Sequence, residues 1–443
     1  MGMSLQGELE PLLAKLWQAA DSACRAESLS DPTNPAYAKW EQEALTALNE
    51  KLSTLVSRFR SYYSLDGNDL SPVADQFAGE SDRWESPTGS SVYCTVARAS
   101  GDVERVSRLI DIGHWQGGGA ESFYHNFLDP FKRTAAVHSL CAREMAMGAK
   151  SLDSAVELAK ESVVWICEDL INRLGGGAPP GPLPGEKGEG FKEQAGFAAI
   201  VADTVALFRA LTLPESVLFD AVLAAVGAAG GFIAASKMPS HDLHIGVGFS
   251  MSAAGLVVNA GISLDRLDKN MSDLDERVAG ALETDLGSSG PFGDTFARIQ
   301  NPHLDPSAYR QLTFKQGDHS EKDAVVVDLT ELYYAGYRSL PSAADNYDFG
   351  TKVCSAAHID GAQAQFPRAV GKFNEAAGMF TGLLADVRDD LTRSGEAIVA
   401  AATTYGGADE YEAAKIKQLE DEIPALGSFV GAEHYTPPRW LRL

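Results

Sequence analysis

Apolar residues recur along most of this chain at steps of three and four, the spacing of one face of an α-helix. Leu5, Leu9, Leu12 and Leu16 predict a first helix over about 5–26. Leu45, Leu48, Leu52, Leu55, Phe59 and Tyr62 form a heptad seam, with Pro35 placed to start its helix. Residues 64–101 are polar and rich in Ser, Gly and Asp, and read as a long excursion in which "SSVYCTVAR" predicts a short strand. Val103, Val106 and Ile110 mark a short helical segment, and "HWQGGGAESF" (114–123) follows it. At "LDPF", Asp129 can cap and Pro130 can take a first helical position, so a new or kinked helix is expected there. Its seam runs from Met145 to Leu170 and stops at "GGGAPPGPLPGEKGEG".

Farther on, 216–235 and 245–262 are rich in Ala, Gly and branched aliphatics, and an amphipathic helix follows from Leu264 to about Leu286. Asp328 and Glu331 in "DLTE" resemble a capping box that opens a helix to about 347. The longest seam runs from Phe366 to Tyr405, with Ser394 its one polar member. The expected fold is all-α: long antiparallel helical hairpins forming helix bundles, with long irregular insertions. The expected organisation is an N-terminal bundle (1–175), a Gly/Pro linker (176–190), an Ala/Gly-rich hairpin region (191–286), a second linker (287–323), a C-terminal hairpin (324–422) and a tail (423–443).

Composition narrows the function classes. A formal charge of −24 argues against nucleic acid, whose phosphates need clustered Lys and Arg. Five scattered cysteines without a CxxC are not a disulfide framework. The first residues, "MGMSLQGELEPLLAKLW", lack the basic and unbroken apolar regions of a cleaved secretory signal. No nucleotide-loop, zinc-protease or serine-hydrolase motif occurs, and the pair His241 and His244 lacks further ligands. The expectation is therefore a protein without catalytic residues, metal or cofactor.

The stretch 216–262 admits two readings. One is a tightly packed hairpin in a soluble core, favoured by Asp220 and Asn259, which are costly in lipid. The other is a membrane-active or pore-forming hairpin whose bulky residues include Leu218, Phe219, Phe232 and Phe249.

Two short motifs remain. Trp115-Gln116-Gly117 lies between two helical segments, where glycine permits a tight turn and the indole can cover a bundle end with its N–H near solvent. On a continued helix, Tyr405, the last residue of the long seam, and Asp409 in "YGGAD" would share a face one turn apart. Together they resemble the WXG100 superfamily, the substrates of type VII (ESX) secretion, which are helical hairpins with W-x-G at the turn and a C-terminal Y-x-x-x-[D/E] signal. The resemblance covers about two thirds of the chain, and the middle block has no matching motif. The chain also departs from the family: it is far longer than the unit of about a hundred residues, its C-terminal module has no W-x-G, and the motif order is reversed relative to fused relatives. The resemblance implies a secreted or cell-surface protein with an export surface made of Trp115, Gly117, Tyr405 and Asp409. It implies as partners a type VII secretion ATPase or chaperone, with a second copy or a small WXG100 protein as further candidates. The reversed order leaves open whether the two ends meet; the expectation is that the C-terminal hairpin packs against the N-terminal one as an internal pseudo-dimer, bringing Trp115 near Tyr405 and Asp409.

Overall fold

The computed structural model describes residues 4–27, 35–66, 70–79, 81–84, 86–176, 247–248, 250, 252–288, 290–293, 297–299 and 328–406. These residues are mostly helical, with no strand among them. The helices are α1 (Leu5–Glu27), α2 (Pro35–Ser61), α3 (Ser71–Phe77), α4 (Val92–Asp111), α5 (Gly118–Phe123), α6 (Asp129–Leu174), α7 (Ala253–Leu286), α8 (Leu329–Tyr334), α9 (Leu340–Ala356) and α10 (Pro367–Gly406). A π-helical turn joins α5 to α6 (Tyr124–Leu128), and another joins α8 to α9 (Ala335–Ser339).

Both π turns have one sequence cause. Each follows a six-residue helix and precedes a helix whose second residue is proline, Pro130 or Pro341. Proline has no N–H, and its ring clashes with the carbonyl four residues back. The wider π turn moves that carbonyl aside, so the chain continues without breaking. The kink expected at "LDPF" is thus a π turn.

One hydrophobic core runs through the described residues, from Leu5 to Ala402. At one end, α4, α6, α9 and α10 form a four-helix bundle. α4 and α9 run antiparallel: Arg98 Nε donates to Asn346 at 3.1 Å, and Ser342 donates to Asp102 at 2.8 Å. α9 and α10 are antiparallel as well, with Arg388 on Asp348 at 3.3 Å and the Cys354 thiol on the Ala377 carbonyl at 3.4 Å. Two glycines let the second hairpin close. A Cβ at Gly336 would stand 2.7 Å from Val399 and 3.0 Å from the Gly395 carbonyl. α6 also packs with α1 and α7, and α2 packs on both of these.

The centre of α6 is buried on every side from Thr134 to Ala149 without a break. Helices of this kind carry no polar stripe, yet this one encloses His138, Arg143 and Glu144.

Carboxylates from other elements cap several helix starts, where the first N–H groups lack partners. Asp66 accepts from the N–H groups of Leu5 and Gln6 at 2.7 and 3.0 Å. Asp153 accepts from Leu70 N at 2.9 Å, just ahead of α3. Asp275 accepts from Ala369 and Arg368 at 2.7 and 3.2 Å at the start of α10. Part of the acidity of the chain therefore serves folding. Ser394, the polar member of the long seam, is buried and donates to the Asp390 carbonyl at 2.7 Å.

Several expectations need correction. The predicted strand "SSVYCTVAR" is the start of α4, with Ser91 capping Cys94 N at 3.2 Å. Val92 to Ala97 are all buried, so no helical stripe shows and the branched residues imitate a strand. The 64–101 excursion holds α3 and the first half of α4. α1 buries Leu13 rather than Leu12 fully. α7 starts at Ala253, and its first turns send Leu256, Val257 and Ala260 into the core. Residues 290–293 form a turn in which Phe292 is fully buried.

Candidate functional site

The W-x-G turn is built from the end of α4. Gly113 adopts φ 78°, the left-handed conformation that ends helices. The backbone N–H of Trp115 then reaches the Leu109 carbonyl at 3.0 Å. Gly117 stands at φ 107°, open to glycine and strained for other residues, and its carbonyl accepts from Glu121 N at 3.1 Å as α5 starts. The two glycines fold the tryptophan inward.

Trp115 is 4 % exposed. Its ring lies 5.5 Å from Phe123, which lies 5.2 Å from Phe127, followed by Phe131 at 5.9 Å. The spacing of four residues stacks these rings along one face through the π turn. Phe131 in turn meets Tyr347 of α9. Trp115 is thus the outer end of an aromatic file that enters the bundle. The expectation of an indole N–H near solvent is corrected: Nε1 is buried and has no hydrogen-bond partner.

Asp328 docks on this turn. Its N–H donates to the His114 carbonyl at 2.7 Å, and its carboxylate lies 3.7 Å from His114 Nδ1. The same carboxylate caps Glu331 N at 3.2 Å and so starts α8. One turn on, the Tyr333 hydroxyl pairs with Thr403 of α10 at 2.8 Å. A helix rises about 1.5 Å per residue, so α8 is a short bridge. It holds the W-x-G turn and the last turn of α10 at one end of the bundle. Tyr405 is the penultimate residue of α10. Nothing is described of its side chain, and Asp409 lies outside the described residues.

The apolar side chains Ile112, Tyr334 and Tyr337 are exposed on the turn, on α8 and on the π turn behind it. Tyr333 and Tyr337 stack with ring centres 5.9 Å apart. Sequence reasoning missed His114 and Tyr333. Asp328 was visible as a cap but not as a tether, because its partner is far away in the chain.

Other features of the described residues are less pointed. An open groove between α3 and α9 is lined by Asp75, Gln76, Phe349 and Lys352. No group of three or more His, Cys, Asp and Glu is placed to hold a metal ion among the described residues. All five cysteines are buried, and none is in a disulfide. Leu218, Phe219, Phe232 and Phe249 lie outside the described residues, and no described helix is long and apolar enough to cross a membrane. Comparison of the chain with protein families, with curated proteins and with solved structures finds no match.

Proposed function

We propose that this chain is a non-enzymatic helical protein exported by a type VII (ESX-like) secretion system. In this reading the W-x-G turn and the Y-x-x-x-D sequence act as one composite signal, read by the secretion ATPase or a dedicated chaperone. The supporting observation is the pair of tethers, His114 to Asp328 and Tyr333 to Thr403, that bring the turn and the end of α10 to one end of the bundle. The apolar groups Ile112, Tyr334 and Tyr337, exposed at that end, suit a protein partner.

The test is export of the full chain from a host with an intact type VII system. Tyr405→Ala and Asp409→Ala should stay in the cell while keeping wild-type helicity and melting behaviour. Normal export of both variants would defeat the reading. The residues Tyr405 and Asp409 are the better probes, because Trp115 also serves the core.

A further inference from the structure

An open groove of about 670 Å³ lies between α3 and α9. Pro72, Asp75 and Gln76 line it from α3, and Phe349, Lys352 and Val353 from α9. Past Asp75 and Ser90 it continues into a second, more polar hollow of about 480 Å³ beside the start of α4. The residues bordering that hollow are tied down. Asp82 accepts from Gly79 N at 2.8 Å and from the Ser91 hydroxyl. Arg98 donates to the Pro87 and Gly89 carbonyls at 3.3 and 2.7 Å. The groove is therefore formed before anything enters it.

Its chemistry points to one kind of ligand. Asp75 is exposed and has no ion-pair or hydrogen-bond partner among the described residues. The side-chain oxygen of Gln76 is buried and also lacks a partner. Phe349 is 45 % exposed. The cation of the groove is already engaged, since Lys352 Nζ lies 2.5 Å from the Asp348 carboxylate. The polar hollow holds one charge of each sign, Asp82 and Lys150. A carboxylate, an idle acceptor and an aromatic face thus remain. A carboxylate pairs with a guanidinium through two N–H donors, and an aromatic face attracts the same flat cation. A compact ammonium matches this geometry less well. The chain makes a contact of this kind in its own core, where Arg143 lies 4.6 Å from the centre of the Tyr93 ring.

We propose that the groove between α3 and α9 is a docking site for an arginine side chain of a partner polypeptide, with Asp75 pairing the guanidinium and Phe349 covering its flat face. One arginine fills only part of the groove, and the hollow beyond Ser90 gives room to the neighbouring residues of an extended peptide. The site stands apart from the W-x-G end of the bundle: Phe349 lies about 14 Å along α9 from its first residue, Leu340.

Fluorescence anisotropy of a dye-labelled hexapeptide, with one arginine among glycine and serine and no charge at either end, tests this on the full-length protein. The arginine peptide should bind. Its citrulline counterpart, neutral and nearly the same shape, should bind about tenfold more weakly. Asp75→Asn should weaken the arginine peptide by about the same factor and leave the citrulline peptide unchanged. Phe349→Ala should weaken the arginine peptide about threefold. Both positions are exposed, so both variants should keep the fold. The net charge of −24 attracts any cationic peptide, but removing one of 61 acids hardly alters that background. Equal binding of the two peptides, or arginine binding unchanged by Asp75→Asn, would therefore overturn the proposal. A groove covered by another part of the chain or by a second copy would take up no peptide, and absence of binding up to millimolar protein overturns it as well.

Discussion

The carbonyl of His114 accepts the backbone N–H of Asp328 at 2.7 Å, which ties the W-x-G turn to the first helix of the C-terminal hairpin. Trp115, next to this joint, has a packing role and a candidate recognition role, and substitutions should separate them. Trp115→Ala removes the outer ring of the Trp115–Phe123–Phe127 file and should cost about 3–5 kcal/mol of stability. Trp115→Phe keeps an aromatic ring there and deletes a buried N–H that has no acceptor. The loss of packing and the relief of that N–H oppose one another, so the change should stay below about 1.5 kcal/mol. Urea unfolding of the two variants checks the difference. Equal losses would show that the file does not depend on the ring at this position.

The second hairpin should depend on a glycine contact. Gly336 faces Gly395 where α10 passes the π turn, and a methyl at Gly336 meets backbone as well as the Val399 side chain. Backbone cannot swing aside as a side chain can. Gly336→Ala should therefore destabilise by about 1–3 kcal/mol, although alanine favours helix. Gly371→Ala, in the same helix pair but with open space around it, should be neutral or slightly stabilising. A reversed order of melting temperatures would refute this account of the contact.

The elements that were legible in the sequence are those with one wet face. The seam that opens at Phe366 continues through α10, where Val370, Phe373 and their successors alternate with charged residues from Pro367 on. The start of α4 hid for the opposite reason: Val92 to Ala97 have no wet face, and periodicity needs contrast to show. The π turns were half visible, since Asp129-Pro130 signals a break but not its kind. The tethers were invisible. Whether Asp275 caps Ala369, or Asp328 holds His114, depends on chain segments that only tertiary packing brings together. The same limit applies to the candidate site, whose turn was readable from two glycines and a tryptophan while its bridge through Tyr333 and Thr403 was not.

His138 makes the acid side of stability testable. It is fully buried between the rings of Tyr347 and Phe380. Its Nε2 lies 2.9 Å from the Ala297 carbonyl, which can only accept, so Nε2 carries the proton and Nδ1 is bare. Nδ1 has no partner, and burial lowers the imidazole pKa to about 4. The unfolded chain takes up this proton near pH 6.5, earlier than the folded one. The folded protein therefore loses stability as pH falls from about 6.5 toward 4, by at most about 3 kcal/mol from this group. His138→Gln keeps an N–H able to reach Ala297 and removes the titration. It should be less stable than wild type at neutral pH, because its shape fits the two rings poorly, but its stability should fall less steeply with acid. Parallel curves for the two proteins between pH 6.5 and 4 would show that His138 does not set the acid limb.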